Sequence, residues 1–310
     1  MRATRIAILA LAVSLLPICG FSLKPNRNID IQGIVKAHPN VTFRQIQTPD
    51  SVSILTAAIA PTAKPKEVGF LICYGDAGNI QDWLGYGLML ADNGYPVMMF
   101  DYRGFGGSDR FSFDADMLFY NQFAVDAKAA LISFKDMHCC RSIGILSFSM
   151  GTIIATALAS DARNGISFIA GDSFVLDLNY TVERIRKSTK RNIKLPPGSS
   201  TYSEDLKNLA IPMLLFAGTN DILFDKRQLL ELQDGNRTVI FYQGNHLEAA
   251  LTLKEGFMDE INKLVERQSS TTPAKNHLLR MLIAAIAFVL YYTLKKVYRQ
   301  HRTRKTNAAA

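Results

Sequence analysis

Three side chains in this sequence have the types and the chain order that nucleophilic catalysis needs. Ser149 lies in the pentapeptide SFSMG at 147–151, Asp221 ends the turn AGTND at 217–221, and His246 ends QGNH at 243–246. A serine hydroxyl is a weak nucleophile at neutral pH, so it needs a histidine within hydrogen-bond reach to take its proton. A carboxylate must in turn hold the imidazole tautomer and stabilise the imidazolium. The three residues therefore predict attack on a carbonyl carbon and a covalent acyl-enzyme intermediate.

The elements that must position Ser149 are a strand and a helix that meet at this residue. Residues 142–148 form a short apolar run typical of a buried strand, and residues 150–157 continue with Ala and Ile at helical spacing. Ser147 stands where this turn usually has glycine, and a small residue still lets strand and helix cross. The turn would expose the hydroxyl, and the first helix amides would point at a bound group. On the pentapeptide alone, a serine-rich turn without chemistry is the alternative.

Strand and helix patterns alternate along the rest of the central region. Residues 40–47 and 51–60 alternate apolar and polar residues around TPD at 48–50, which predicts a β-hairpin. Further predicted strands lie at 68–74, 95–100, 166–170, 211–216 and 238–242, and predicted helices at 80–93 and 123–134. This rhythm indicates an α/β fold with a mostly parallel, doubly wound sheet. Ser149, Asp221 and His246 would each follow the C-terminal end of a strand, where such sheets place their sites.

Two further stretches carry a resemblance to a known family. YGDAGN at 74–79 follows one predicted strand, and DYRGFGGS at 101–108 follows the next. With SFSMG, they make the chain from about residue 48 to about 265 resemble the α/β-hydrolase superfamily, particularly small serine hydrolases with an HGNAGN stretch. The resemblance implies an α/β-hydrolase fold with an eight-stranded sheet and a short cap at about 174–209. Tyr74 stands in place of the family's His, and Asp76 in place of its Asn.

The same resemblance implies roles for individual residues. The turns at Asp221 and His246 match the superfamily's acid and histidine positions, and serine, acid, histidine is the chain order that this fold uses. The oxyanion is expected to be stabilised by the backbone amides of Asp76 and Met150, so the side-chain departures need not abolish the oxyanion hole. Asp172, after the strand at 166–170, is a reserve candidate for the acid, and a cap-hinge residue is its other interpretation.

The positive charge of the chain does not indicate a nucleic-acid partner. The formal net charge is +8, but residues 1–5 and 275–310 hold ten of the 35 Lys and Arg residues and none of the 27 Asp and Glu residues. The central part therefore has a formal net charge of −2 and is not expected to bind nucleic acid. The sequence contains no Gly-rich phosphate loop and no metal-ligand constellation, so no cofactor and no metal are predicted. The pairing of Cys139 and Cys140 stays open.

The N-terminus has the layout of an export signal. Residues 1–5 are basic, residues 6–16 are apolar, and Pro17 precedes Cys19 and Gly20. This arrangement predicts an export signal over residues 1–20. Three outcomes stay open: the signal is cleaved after Gly20, it is retained as an anchor, or Cys19 carries lipid, because LPIC at 16–19 resembles a bacterial lipobox.

The C-terminal region has the composition of a membrane anchor. An uncharged apolar core, residues 281–294, lies between a polar linker at 268–277 and a basic tail at 295–310. A helix over residues 278–294 would rise about 26 Å, close to the roughly 30 Å of a hydrocarbon core. We expect a transmembrane helix with its basic tail in the cytoplasm, and a docking helix is the alternative. The hydrolase domain, residues 30–267, would then face the periplasm from a bacterial inner membrane.

Together these patterns predict a membrane-tethered serine hydrolase that cleaves carboxylic ester or thioester bonds, lipid esters included. Two alternatives belong to other functional classes. The departures at Tyr74 and Asp76 fit a catalytically silent α/β-hydrolase domain that acts as an envelope interaction module. An acyltransferase would use the same three side chains.

Overall fold

The computed structural model describes residues 23–268, and ten strands and eight helices with assigned bounds lie in this range. The strands are β1 (Lys24–Pro25), β2 (Val41–Gln47), β3 (Ser53–Ile59), β4 (Val68–Cys73), β5 (Ala77–Gly78), β6 (Val97–Phe100), β7 (Ser142–Phe148), β8 (Ile166–Asp172), β9 (Met213–Gly218) and β10 (Arg237–Tyr242). The helices are α1 (Ile31–Ala37), α2 (Ile80–Asp92), α3 (Gln122–Asp136), α4 (Met150–Ser160), α5 (Leu178–Thr189), α6 (Tyr202–Asn208), α7 (Lys226–Leu232) and α8 (Ala249–Leu253). Residues 255–268 are helical apart from these.

Eight of the strands form one sheet in the order β10-β9-β8-β7-β4-β6-β3-β2. All neighbours from β10 to β6 run parallel, whereas β3 is antiparallel to both β6 and β2. The predicted hairpin is present, with Val41 opposite Ile59 and Gln47 opposite Ser53. The predicted mostly parallel, eight-stranded sheet is therefore confirmed.

The order of the strands reverses between β4 and β7. From β4 the chain moves outward to β6, and it then returns to β7 on the other side of β4 before continuing to β8, β9 and β10. Because parallel crossovers are right-handed, helices on the two sides of this point cover opposite faces of the sheet. Loops after neighbouring strands diverge there and leave a crevice at the carboxyl ends. The crevice receives residues 74–79 from one side and Ser149 from the other.

The central strands of the sheet are buried within the hydrophobic core. Every residue of β4 and β9 is buried, as expected for parallel strands that are covered on both faces. Burying one large apolar side chain contributes about 1.5–3 kcal/mol, so these strands hold the carboxyl edge rigid. Loops that leave this edge therefore start from fixed points.

A buried ion pair fixes the loop that follows β6. The side chain of Arg103 is only 3% exposed, and its guanidinium donates to the fully buried carboxylate of Asp126 in α3 at 2.7 Å. A second carboxylate, that of Asp50 in the β2–β3 turn, accepts from the same guanidinium at 2.7 Å. Removing one partner of a buried pair leaves an uncompensated charge and costs about 3–5 kcal/mol. The arginine of the DYRGFGGS stretch therefore has a structural task in this chain.

The region predicted as a cap, residues 174–209, contains α5, a short 3₁₀ turn at Ser199–Thr201 and α6.

Cys139 and Cys140 lie just before β7, and both are free thiols, as is the buried Cys73. A hydrogen bond with Cys140 lowers the pKa of Cys139 to about 7.

Several predictions concern residues outside the described part of the chain. These are the signal at 1–20 with Cys19, the linker beyond residue 268, the membrane span at 278–294 and the tail at 295–310. Within residues 23–268, no helix has both the length and the apolar character to cross a membrane. The chain divides into two units, 1–264 and 265–310, and residues 265–268 of the second unit are helical.

Candidate active site

Ser149 lies on a turn of one residue between β7 and α4. Its backbone has φ 48° and ψ −118°, a conformation that non-glycine residues rarely adopt. Such a conformation costs on the order of 1–3 kcal/mol and persists only when its surroundings impose it. The Ser149 N–H donates to the carbonyl of Asp172 at the end of β8, at 3.1 Å, which helps to impose it. The strained turn carries the hydroxyl out of the sheet at its carboxyl edge.

The residues two positions before and after Ser149 are small, and at residue 151 the reason is that the backbone of α4 lies close to the end of β4. A Cβ atom at Gly151 would lie 2.0 Å from the carbonyl oxygen of Cys73, so only glycine fits there. Ser147 stands opposite Gly171 in the β7–β8 register, and its hydroxyl donates to the carbonyl of Ala170 at 3.3 Å. The glycine across the sheet leaves room for the serine that replaces the usual first glycine of the turn.

The structure brings Ser149, His246 and Asp221 into one hydrogen-bonded row. The Nε2 atom of His246 lies 2.8 Å from the Ser149 Oγ, and its Nδ1 atom lies 2.7 Å from an oxygen of Asp221. An ionised carboxylate only accepts hydrogen bonds, so Nδ1 carries the proton and Nε2 accepts from the serine hydroxyl. Asp221 follows β9 and His246 follows β10, so all three residues stand at the same edge of the sheet.

The electrostatics of the pair suit a histidine that gains a proton during a reaction. Burial lowers the pKa of His246, but the charge of Asp221 and its hydrogen bond outweigh burial and raise this pKa above its ordinary value. Burial raises the pKa of Asp221, and the charge and hydrogen bond of His246, with the Leu223 N–H, outweigh it and lower this pKa. Each partner therefore stabilises the charged form of the other.

Asp172, the reserve candidate for the acid, contacts the histidine loop rather than the imidazole ring. Its carboxylate is fully buried, accepts from the Tyr242 hydroxyl at 2.9 Å and accepts from the Ala249 N–H at 3.1 Å. Burial raises its pKa to about 7, although these two hydrogen bonds and the His246 charge oppose the shift. Asp172 therefore stands beneath residues 243–249 and ties both ends of that loop.

Further contacts hold the loop that carries His246. The N–H of Leu247 donates to the Ser173 hydroxyl at 2.8 Å, and the N–H of Asn245 donates to the Glu248 carboxylate at 2.7 Å. The Tyr242 hydroxyl also lies 2.9 Å from the carbonyl of Asn245 and accepts from the Glu248 N–H at 3.1 Å. The backbone on both sides of His246 is thus fixed by the side chains of Ser173, Tyr242 and Glu248.

The two departures in the YGDAGN stretch have different environments. Tyr74 is fully buried, donates from its hydroxyl to Asp101 at 3.0 Å and stacks on Trp83 with 5.9 Å between ring centroids. Asp101 also accepts from the N–H of Ile80, so Tyr74 is linked to the start of α2. Asp76 is partly exposed, and its charge raises the pKa of His246, after the larger effects of burial and of Asp221.

Asp76 and Met150, whose amides are the predicted oxyanion donors, follow β4 and β7, the two strands that flank the crevice. Met150 is the first residue of α4, and the first N–H groups of a helix have no partner within that helix. Asp76 follows β4 by three residues, and its carbonyl accepts from the Lys24 N–H at 2.8 Å. Both positions lie next to strand ends that the sheet pairs directly, since Cys73 stands opposite Ser147.

The cap region touches the loop that carries Asp221. The Thr181 hydroxyl of α5 lies 3.4 Å from the Leu223 carbonyl, and the Arg184 guanidinium donates to the Ile222 carbonyl at 2.9 Å. A cavity of about 380 Å³ opens beside the same helix and is lined by Arg186, Lys187, Lys190 and Asn192. Glu183 pairs with both Arg186 and Lys187, which agrees with a solvated basic face rather than a phosphate site.

Part of the sequence and the fold are similar to known proteins. The family model described as serine aminopeptidase, S33, matches residues 70–171, which include the YGDAGN stretch and the turn at Ser149. The esterase Pf2001 of Pyrococcus furiosus superposes with a TM-score of 0.64 at 19% identity, over 79% of this chain and 97% of its own. A thermophilic esterase from Thermogutta terrifontis superposes with a TM-score of 0.52 at 17% identity, over 73% of this chain and 99% of its own. No curated protein matches the sequence significantly.

The described domain has the α/β-hydrolase fold, and residues 70–171 are similar to the family described as serine aminopeptidase, S33. At these identities the solved structures show the fold alone, and the matched family model adds the serine-hydrolase class that the sequence predicted. Within residues 23–268 of this α/β hydrolase, no group of three or more His, Cys, Asp or Glu side chains could hold a metal ion.

Sequence reasoning did not identify the residues that hold the histidine loop of this α/β hydrolase. The sequence predicts Tyr242 only as the end of a strand, and it gives no signal for the roles of Ser173 and Glu248. Ser173 has a positive φ of 56°, but its position after a strand was the only signal in the sequence. Their contacts depend on how three loops close together in space, and no local pattern records that closure.

Proposed function

We propose that this α/β hydrolase cleaves carboxylic ester or thioester bonds through a Ser149–His246–Asp221 triad. The observation that carries the proposal is the hydrogen-bonded row, with 2.8 Å from Ser149 to His246 and 2.7 Å from His246 to Asp221. These distances lie within the reach that a nucleophile, its base and an orienting carboxylate need. The strained turn at Ser149 supports the same assignment, because backbone strain of this kind concentrates at functional sites.

The proposed reaction has two halves. His246 accepts the Ser149 proton at Nε2 while the serine oxygen attacks the carbonyl carbon, and Asp221 stabilises the imidazolium that forms. The backbone amides of Asp76 and Met150 donate to the developing oxyanion, each worth on the order of 3 kcal/mol. His246 then returns the proton to the leaving alcohol or thiol, which leaves an acyl group on Ser149. A water molecule, activated by His246, releases the acid by the same steps in reverse order.

We further propose that the enzyme works at a membrane, outside the cytoplasm. The support is the composition of the two ends of the sequence, namely an export signal at residues 1–20 and an apolar segment with a basic tail at 278–310. Esters at or near a lipid surface, lipid esters among them, are the substrates that such a tether would favour.

A fluorophosphonate probe tests whether Ser149 is an activated nucleophile. We expect the wild-type protein to be labelled and Ser149→Ala to be unlabelled. Hydrolysis of p-nitrophenyl esters of increasing acyl length should be lost in Ser149→Ala and in His246→Ala. The double variant should lose no more than either single one, because the residues act as a unit. Aminoacyl p-nitroanilides belong in the same assay, since the matched family model is described as a serine aminopeptidase.

Two results would reject the proposal. Activity within about tenfold of wild type in either single variant would exclude the triad, since loss of a member costs several orders of magnitude. A wild-type protein that is folded by circular dichroism but is neither labelled nor active would favour the catalytically silent interaction module.

A further inference from the structure

We propose that the N-terminal strap, defined as residues 23–30, positions the oxyanion amide of Asp76. This inference rests on the proposed function, because it concerns a donor of that reaction. The strap precedes the first helix and has no periodic pattern that predicts structure. In the structure it lies at the carboxyl edge of the sheet and is joined to the loops that follow β4 and β6.

The first set of contacts holds the stretch that contains Asp76. Strand β1 of the strap pairs in parallel with β5, so that Lys24 stands opposite Ala77 and Pro25 opposite Gly78. The Lys24 N–H donates to the Asp76 carbonyl at 2.8 Å, and the Asn26 N–H donates to the Gly78 carbonyl at 3.0 Å. Two carbonyl groups of this loop, those of Asp76 and Gly78, are thereby fixed.

The second set of contacts ties the strap to rigid elements. The Asn79 amide donates to the carbonyls of Asn26 and Asn28 at 3.1 and 2.7 Å, while its oxygen caps α2. The Gly106 N–H donates to the Asn26 carbonyl at 2.9 Å, and the Arg27 guanidinium donates to the Ser108 carbonyl. Leu23 at the start of the strap is buried. The strap therefore joins residues 76–79 to the loop after β6.

The chemistry of the oxyanion donor explains why the contacts of the strap matter. An oxyanion amide accelerates a reaction only when it is aimed in advance at the place where charge develops. Residues 75–79 form a loop, and Gly78 has a φ of +85°, so the loop's own sequence does not fix its peptide planes. The Lys24 N–H holds the peptide that directly follows Asp76. Rotation of that peptide would turn the Asp76 backbone and misdirect its N–H.

The test removes the backbone donor of Lys24 and uses a second variant to control for loss of the side chain. Lys24→Pro deletes the N–H that bonds Asp76, whereas Lys24→Ala removes the exposed side chain and keeps that N–H, so the two form a matched pair. We expect Lys24→Pro to lower kcat about tenfold on a p-nitrophenyl ester, with KM within twofold of wild type. We expect Lys24→Ala to remain within twofold in both constants. A loss confined to kcat marks an interaction made in the transition state rather than in substrate binding.

Inhibitor binding separates positioning from mere structural support. The affinity for a trifluoromethyl ketone, whose adduct carries an oxyanion, should fall about tenfold in Lys24→Pro and stay unchanged in Lys24→Ala. If Lys24→Pro does not fold, Asn79→Asp serves instead, because it keeps the capping oxygen of α2 and loses both donors to the strap. A folded Lys24→Pro or Asn79→Asp with wild-type kcat and inhibitor affinity would overturn the role of the strap. The triad assignment would still stand in that case if the fluorophosphonate probe labels Ser149. If the probe does not label the wild-type protein, the proposed function itself is rejected.

Discussion

Two carboxylates stand close to His246, and their surroundings divide the work between them. Asp221 points one oxygen at the imidazole Nδ1 and receives the Leu223 N–H on the other, so its charged form is stabilised. Asp172 is enclosed and receives one hydroxyl and one amide from the histidine loop. Burial raises the pKa of Asp172 to about 7, whereas interaction with His246 lowers the pKa of Asp221. A low pKa suits the partner of an imidazolium, and a fully buried carboxylate suits the anchoring of a loop.

Replacing each carboxylate by its amide separates these tasks. Asp221→Asn should lower kcat about 10⁴-fold, because an amide at that place favours the wrong imidazole tautomer. Asp172→Asn should cost much less, because the changed group touches Tyr242 and Ala249 and not the ring. Steady-state kinetics on one ester substrate, with circular dichroism as a control for folding, provides the comparison. A larger loss in Asp172→Asn would place the acid at residue 172.

The buried Asp172 should also make stability depend on pH. Its pKa rises from an ordinary 3.8 to about 7 on folding, with burial as the main cause. The folded protein holds this proton between those values while the unfolded chain has lost it, so the free energy of unfolding falls as pH rises toward 7. Between pH 5 and 8 this effect amounts to roughly 3 kcal/mol. Urea unfolding of wild type and Asp172→Asn should show this loss in wild type alone. A pH-independent difference between the two proteins would contradict it.

The residues of the candidate site differ in how visible they are in the sequence. Ser149, Asp221 and His246 could be found because each belongs to a turn that follows an apolar strand, and strand ends meet at one edge. The hydrogen bond between Tyr74 and Asp101 could not be predicted, because 27 residues separate them in the chain and the contact needs both loops in place. Local sequence records which residues follow a strand, and it does not record which loops close over each other.

At the scale of elements, the geometry of the candidate site depends on how closely β4, β7 and α4 pack where they meet. The backbone of α4 begins against the end of β4, and the side chain at residue 151 must be a hydrogen atom to permit it. Moving the helix away would move the Ser149 turn and the Met150 amide together. The nucleophile and one proposed oxyanion donor therefore depend on a single close approach.

Gly151→Ala tests this dependence. The added Cβ would lie 2.0 Å from the Cys73 carbonyl oxygen, so the backbone must shift, at a cost of at least about 1–3 kcal/mol. We expect a lower urea midpoint and a kcat reduced by at least a hundredfold. Gly235→Ala is the matched control, because nothing lies within 4 Å of a Cβ placed there. Wild-type kcat in Gly151→Ala would show that the approach is not needed.

The elements themselves could be predicted to different extents. The central strands are visible because a strand covered on both faces is apolar throughout, as β4 and β9 are. The strap could not be predicted, since its strand is two residues long and its other contacts are made by backbone groups, by asparagine side chains and by Arg27. The helices of the cap region carry mixed and basic sequence, so only the position of this region could be expected from the resemblance.

At the scale of the whole molecule, the direction of the chain across a membrane is a prediction from sequence alone. If residues 278–294 span the inner membrane, a reporter fused after Ala310 should be active only when it is of a type that works in the cytoplasm. A reporter fused near Ser270 should be active only when it works after export. Fusions at both sites, made with both reporter types, provide the measurement. A reporter after Ala310 that is active outside the cytoplasm would reverse the predicted orientation.

The position of the strap also limits how far the residues that precede it can lie from the candidate active site. Lys24 is fixed beside Asp76, and Cys19 precedes it by five residues. If Cys19 carried a lipid, the five residues to Lys24 could span at most about 18 Å. Such an anchor would keep the candidate site close to the surface of the membrane.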